Sequence, residues 1–451
     1  MFSLTVAFAA MALLGDSPSA KSPSFDRTKL LIGTYCMAPE FQDEEHVKDM
    51  ADCGVDFLIG KVKESALDVF AKYGVGVVKK RIVPGWWGGS SKNGQMAEVN
   101  PIDKYETAMR NFTDHPAIVG IDIGDEPSSL DFEHFGKVAA YVAKAAPDKL
   151  VFVNLFPNYA AAASLTRSEA DSQLGAPDYR TYIERYCRHF PLDYICFDSY
   201  IWGWRNTPSV LFENLRIVSD ACAGTGKSPW VILQVNSHKP AKGPKRGPMT
   251  ENMLRYQSNV SLAFGAEVVV WACWTKGWWL DNVVDTNGLK TAQYDRLKTV
   301  NAELKRVGPW FMKFRRLYTD LVDFDNGPDG LRGVGQAAVP FSNGVAFRGI
   351  KATDGSPIAV GQMVARDGSN ARAVYIVACD DPHDRGEKTH SVSFRADGWS
   401  VRSGRNVYFL DGAEIFSELE INVDPAKIMS EMSVSERQMV EIAKAVSYNS
   451  K

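Results

Sequence analysis

The chain has 451 residues, of which 45% are hydrophobic and 23% charged, and its formal net charge is −3 at pH 7. A chain of this length and composition is predicted to fold into one large domain and a smaller one. Charges of both signs are mixed along the chain, without the basic field that nucleic acid binding requires, so no nucleic-acid partner is expected.

The N-terminus carries the pattern of an export signal. Residues 2–15 form an apolar run, and the short segment Asp-Ser-Pro-Ser-Ala follows at 16–20. This pattern is typical of a signal peptide, so we expect residues 1–20 to be removed and the protein to be secreted or periplasmic. No other stretch is apolar for long enough to span a bilayer, so no membrane span is expected.

Cysteine and histidine spacing predicts no metal site. The seven cysteines lack the short paired spacing of a zinc site, and no two histidines stand four residues apart. We therefore expect no metal and no other cofactor. The sequence leaves the oligomeric state open.

From residue 30 onward, short β-branched runs alternate with amphipathic helical patterns. Eight such units over roughly 250–300 residues predict a (β/α)8 TIM barrel at 29–316. A doubly wound open sheet is the alternative, but no Gly-x-Gly-x-x-Gly follows the first strand. The predicted strands are 30–35, 55–60, 75–82, 117–123, 150–155, 192–197, 230–234 and 267–274, and the predicted helices are 44–52, 66–73, 132–145, 179–189, 210–221, 251–264 and 293–306.

The sequence pattern changes after the predicted barrel. Turn residues then separate short alternating strands at 345–350, 358–365, 373–378 and 390–394. This pattern predicts a small antiparallel β-sandwich at 317–411. Residues 412–451 are polar and predict a short helical tail.

Candidate catalytic groups follow the predicted strands, because reactive side chains of such barrels project from the C-terminal strand ends. Asp125 and Glu126 follow strand four, and Asp198 follows strand six. Glycosidic cleavage needs an acid that protonates the leaving oxygen and a second group that stabilises or attacks the developing oxocarbenium ion. Glu126, whose pKa nearby carboxylates would raise, is the candidate acid. Asp198 and Asp125 are candidates for the second group.

Other side chains near these strand ends suit a carbohydrate substrate. Lys80 and Arg81 follow strand three, and we expect at least one of them to pair with Asp122. Aromatic faces stack on sugar rings, while amide and phenol groups hydrogen-bond to sugar hydroxyls. A core position is the alternative for each tryptophan. The predicted substrate-binding residues are Tyr35, Trp86, Asn154, Tyr200, Trp202, Gln234, Asn236, Trp271 and Trp274.

The segment Gly124-Asp125-Glu126-Pro127 resembles the Asn-Glu-Pro motif of retaining glycosidases in the (β/α)8 clan that includes cellulases and β-galactosidases. Together with Phe197-Asp198-Ser199-Tyr200 and the Trp-rich strand eight, residues 29–410 resemble bacterial glycoside hydrolases that join a barrel to a β-sandwich. The resemblance implies hydrolysis of a poly- or oligosaccharide, with Glu126 as acid. The clan's nucleophile is a Glu at the end of strand seven, where this chain has Gln234.

The missing nucleophile leaves three alternatives. Asp198 could act as base or nucleophile, and a separation from Glu126 of about 5 Å would favour retention and roughly 6.5–9.5 Å inversion. The Asp125–Glu126 pair also resembles that of N-acetylhexosaminidases, in which the Asp orients a substrate acetamido group that attacks. The third alternative is a noncatalytic carbohydrate-binding barrel that lost its strand-seven nucleophile.

The tail carries a separate resemblance. Residues 432–445, Met-Ser-Val-Ser-Glu-Arg-Gln-Met-Val-Glu-Ile-Ala-Lys-Ala, resemble the signature region of ATP-binding subunits of sugar-import ABC transporters. Ser435 stands at the usual Gly, and no Gly-x-x-x-x-Gly-Lys-Ser/Thr loop is present to hold phosphates. ATPase activity is therefore not expected, and 412–451 is interpreted as a fragment joined to the sandwich.

Overall fold

A computed structural model describes most of the barrel and part of the region that follows it. The predicted signal peptide at 1–20 lies outside the described residues. The described residues are 25–90, 93–202, 208–238, 247–275, 279–326, 348–369, 372–380, 389–395, 400–402, 407–409, 430–435, 438–440 and 443–445.

Eight parallel strands form the predicted barrel. Nearly all of their residues are buried, as expected for parallel strands covered on both faces. The hydrogen-bonded order runs from strand five to strand one and then through eight, seven and six. A main-chain hydrogen bond from Leu155 N to Cys196 O (2.9 Å) closes the ring between strands five and six. The strands are β1 (Leu31–Tyr35), β2 (Phe57–Gly60), β3 (Gly76–Lys79), β4 (Ile118–Asp125), β5 (Leu150–Asn154), β6 (Tyr194–Ser199), β7 (Ser228–Gln234) and β8 (Val268–Ala272).

Helices surround the barrel, and side chains that accept main-chain N–H bonds mark several of their first turns. Asp43, Asp178 and Thr250 each accept such a bond from the residue three positions later. No helix in the described part of the chain is both long and apolar enough to cross a membrane. The helices are α1 (Glu44–Asp52), α2 (Leu67–Lys72), α3 (Met96–Val99), α4 (Ile102–Arg110), α5 (Phe132–Ala145), α6 (Tyr179–His189), α7 (Pro208–Thr225), α8 (Glu251–Ala263) and α9 (Ala292–Phe311).

A small antiparallel β-structure follows α9, as predicted. Its strands are β9 (Phe314–Val322), β10 (Arg348–Ala352), β11 (Ile358–Ala365), β12 (Arg372–Ala378), β13 (Thr389–Arg395), β14 (Ser400–Arg402), β15 (Val407–Phe409), β16 (Ser430–Ser435), β17 (Gln438–Val440) and β18 (Ala443–Ala445). The first of them begins two residues before the predicted boundary at 316. One sheet has the order β9–β11–β12–β17–β15, a second has the order β10–β13–β16, and β14 pairs with β18.

The β-structure packs directly on helix α8. Tyr375 Oη donates a hydrogen bond to Asn259 Oδ1 (2.6 Å), and Thr319 Oγ1 donates one to the carbonyl of Ala263 (2.9 Å). Gly361 has to be a glycine here, because a Cβ at this position would lie 2.3 Å from the same carbonyl oxygen. The barrel and the β-structure therefore share one continuous apolar core.

The predicted helical tail is wrong for the described residues of 412–451. These residues form the strands β16, β17 and β18. β16 pairs with β13, while β17 pairs with β12 and β15, so the tail completes sheets begun by earlier segments. Helix propensity is a weak local preference that such long-range pairing overrides.

Candidate active site

A cavity of about 790 Å³ opens at the C-terminal ends of the barrel strands. Its volume lies in the range of small-ligand pockets, about 300–1,000 Å³. All three predicted catalytic residues reach it. The lining residues are Tyr35, Cys36, Met37, Pro39, Gly60, Lys61, Lys80, Trp87, Asp125, Glu126, Asn154, Asp198, Tyr200 and Ile232.

Glu126 follows β4 in a constrained backbone conformation. Its φ of 48° is in the left-handed region, which non-glycine residues rarely adopt and which often marks functional sites. Its main-chain N–H donates to the Asn154 carbonyl (2.8 Å). On the other side, the backbone of Gly88 lies so close that a Cβ there would be 1.8 Å from the Glu126 carbonyl oxygen. Strand five and the loop after β3 therefore fix the position of Glu126.

Asn154 joins the two aspartates of the cavity. Its Nδ2 donates to Asp198 Oδ1 (2.9 Å) and to Asp125 Oδ1 (3.1 Å). Asp125 also accepts a hydrogen bond from Tyr35 Oη at 2.7 Å. The amide and the phenol thus hold the Asp125 carboxylate from two directions.

Lys80 supplies positive charge beneath this network. Its Nζ lies 3.5 Å from Asp125 and 3.8 Å from Asp122, which confirms the predicted pairing with Asp122, and it also contacts Tyr35 Oη. Burial alone would lower the pKa of Lys80, but the two carboxylates outweigh burial and raise it. Burial raises the pKa of Asp122 to about 7, although Lys80 partly opposes this. Lys80 therefore stays charged and balances the buried acids.

Glu126, which is partly buried, and Asp198, which is fully buried, affect each other's pKa. Burial, followed by the charges of Asp198 and Asp125, raises the pKa of Glu126 well above its usual value. Burial also raises the pKa of Asp198 to about 7, while the bond from Asn154 opposes the rise. Because the two negative charges repel, the pair resists losing both protons at once and retains one proton at neutral pH.

Trp87 presents an aromatic surface beside the acid. Its side chain is 56% exposed, and its Nε1 donates a hydrogen bond to Glu126 Oε2 (3.0 Å). The ring lies against Gly89, where a Cβ would come within 2.4 Å of it. An exposed indole held in place next to an acid is a suitable platform for a sugar ring.

The structure brings Tyr35, Asn154 and Tyr200 to the cavity but not the other six predicted substrate-binding residues. Gln234 is buried and exchanges hydrogen bonds with the main chain of Trp202. Trp271 is also buried, and its Nε1 donates to Asn301 Oδ1 behind the strand (2.9 Å). The six residues outside the cavity lining are Trp86, Trp202, Gln234, Asn236, Trp271 and Trp274.

Sequence reasoning did not select Trp87, which is adjacent to the chosen Trp86. Both follow a Pro-Gly turn, and no local pattern tells which of the two rings faces the cavity. It also did not select Lys61, whose side chain is exposed at the cavity rim. Within the described ranges, no cluster of three or more metal-binding side chains occurs.

The fold and site together define a TIM barrel with an acidic pocket at its C-terminal end. No family model matches the chain. A stretch of 43 residues is 63% identical to the galactose/methyl galactoside import ATP-binding protein of Treponema denticola, covering 10% of this chain and 9% of that protein. The chain thus spans less than a tenth of the length of that curated relative. The likeness to transport ATPases is confined to a short segment of this chain.

Similar solved structures include the β-galactosidase from Bacillus circulans sp. alkalophilus, with 12% identity and a TM-score of 0.46. That alignment covers 64% of this chain and 58% of the other. Another is the endo-β-1,4-mannanase from Thermotoga petrophila, with 10% identity and a TM-score of 0.41. Here the alignment covers 92% of this chain and 98% of the other.

Proposed function

We propose that this protein hydrolyses a glycosidic bond in a poly- or oligosaccharide and that Glu126 is the proton donor. The observation that carries the proposal is the partly buried Glu126 carboxyl, whose pKa is raised well above its usual value, beside the exposed indole of Trp87. A general acid must hold its proton at the working pH, and this environment provides that condition.

We assign the second role to Asp125. It lines the cavity, its side chain is 26% exposed, and Tyr35, Asn154 and Lys80 hold its carboxylate in place. A fixed carboxylate next to the reacting centre would stabilise the positive charge of the oxocarbenium-like transition state, or of an acetamido group that attacks it. Asp198, whose charge raises the pKa of Glu126, serves to keep that acid protonated.

In the proposed reaction, Glu126 transfers its proton to the glycosidic oxygen as the bond from that oxygen to the anomeric carbon breaks. A water molecule then adds to the anomeric carbon and returns a proton to the Glu126 carboxylate. Glu126 is thereby restored, and the net change is the addition of one water molecule across the bond.

Glu126→Gln tests the assignment. Loss of a general acid should lower kcat by about 10²- to 10⁴-fold on sugars with poor leaving groups. Activity should be largely retained on aryl glycosides whose phenolate leaves without protonation. The matched control is Glu133→Gln, because Glu133 lies 70% exposed on α5 outside the cavity lining. Full activity of Glu126→Gln on the poor leaving groups would refute the role.

A noncatalytic carbohydrate-binding barrel is the second candidate, and Gln234 favours it. This residue occupies the position of the clan's nucleophile, and its buried amide is already bonded to the main chain of Trp202 and Asn236. A glycan panel separates the two candidates. Saturable binding by folded protein that never yields a reducing end would support the binding role and reject hydrolysis.

A further inference from the structure

A second cavity, of about 190 Å³, lies at the opposite end of the barrel from the proposed active site. Its lining includes Asp193 just before β6, Ser228 at the start of β7 and Glu267 just before β8. The other wall comes from the β-structure, through Arg316 of β9 and Arg366 just after β11. The cavity thus lies between the two parts of the protein, at the end of the barrel that contributes to stability rather than to catalysis.

The walls of this cavity are predominantly positive. The two acids that line it are already paired, Asp193 with Arg27 and Glu267 with Arg366. Among the described residues, Lys227 donates only to the main-chain carbonyls of Phe190 and Leu192, so its charge is not balanced by these contacts. The cationic residues in the lining are Arg27, Lys227, Arg315, Arg316 and Arg366.

Arg316 carries a buried donor that no described residue satisfies. Only 6% of its side chain is exposed. Its Nε donates to Thr319 Oγ1 (2.7 Å) and its Nη2 to Asp220 Oδ1 (3.0 Å), while its Nη1 is buried and has no hydrogen-bond partner among the described residues. An unsatisfied buried donor costs about 1–3 kcal/mol, and more when the group is charged.

We propose that this cavity binds a tetrahedral oxyanion of the phosphate or sulfate class, which accepts a hydrogen bond from Arg316 Nη1. Such an anion would also balance the charges of Lys227 and Arg315. A water molecule could accept a hydrogen bond from Arg316 Nη1, but it would leave the charges of Lys227 and Arg315 unbalanced. Because its ligands come from the barrel and from β9, the bound anion ties the β-structure to the barrel. Arg-rich pockets with several converging donors are suited to phosphate geometry.

The test is a titration of the full-length protein with inorganic phosphate at constant ionic strength, followed by calorimetry and by thermal unfolding. We expect saturable binding and a rise in Tm of about 2–4 °C at saturation. Glycerol 3-phosphate is titrated in parallel. Tighter binding than for inorganic phosphate would identify an esterified ligand, and weaker binding a free one.

Two variants probe the site with different risks to folding. Arg316→Lys keeps the charge but removes Nη1, and Arg315→Gln removes an exposed charge at the rim. Each should weaken phosphate binding at least about fivefold, equal to about 1 kcal/mol. The control is Arg110→Gln, on α4, whose side chain is 65% exposed and which is absent from the cavity lining. Equal affinity in Arg315→Gln and the wild type, no saturable binding, or the same stabilisation by chloride would overturn the proposal.

Discussion

Replacing Asp198 with Asn removes a negative charge beside Glu126 while keeping an oxygen for Asn154 to bond. Two unit charges about 4 Å apart repel by about 4 kcal/mol at an effective dielectric constant near 20. At about 1.4 kcal/mol per pKa unit, loss of this repulsion lowers the pKa of Glu126 by at most about 3 units. Burial is the largest cause of the raised pKa and persists in the variant, so the pKa stays above its ordinary value.

The assay is the pH profile of kcat/KM on a substrate that the wild type cleaves. Glu126 donates its proton, so activity falls as pH rises through its pKa. In Asp198→Asn this basic limb should move to lower pH by about 1–3 units, with the rate at low pH within about tenfold of wild type. An unmoved limb would refute the electrostatic role. A loss of about 10³-fold or more at every pH would instead make Asp198 a reacting group.

Substitutions at three further positions, with their controls, test the surroundings of Glu126. Asp122 has a pKa of about 7 in the folded protein, above the usual 3.8, so its contribution to stability is lost as pH rises toward 7. The free energy of unfolding of Asp122→Asn, measured with denaturant, should therefore rise relative to wild type between about pH 4 and 7, by up to about 4 kcal/mol, and a pH-independent difference would contradict this. Gly88→Ala should lower kcat/KM by displacing Glu126, whereas Gly85→Ala, which has open space around its Cβ, should not; equal activities would refute the close approach. Trp87→Ala should raise KM about tenfold and Trp87→Phe much less, since Phe keeps the stacking face, and equal KM values in both would exclude stacking.

The order of elements along the barrel follows from the sequence because it depends on local patterns. Each barrel strand is a short apolar run long enough to be buried on both faces, and the helices between them repeat with a helical period. All eight strands were predicted to within a few residues, and α1, α5 and α6 match their predicted bounds. Strand direction then places Glu126 and Asp198 at one end of the barrel, so the sequence alone located the acidic site.

Which side chains face the cavity was decided by the tertiary structure. Trp86 and Trp87 are neighbours with the same chemistry, yet one is 7% and the other 56% exposed, because the loop after β3 bonds to Asp125 and turns only Trp87 outward. Gln234 likewise ends a barrel strand, but its side-chain amide is bonded to the main chain of Trp202, 32 positions away. Local periodicity determines where a strand begins and ends, whereas the direction and partners of a side chain at a loop depend on contacts between distant segments. For the same reason, the effect of Asp198 on the pKa of Glu126, 72 positions away in the chain, depends on the closed barrel that brings the two side chains to one cavity.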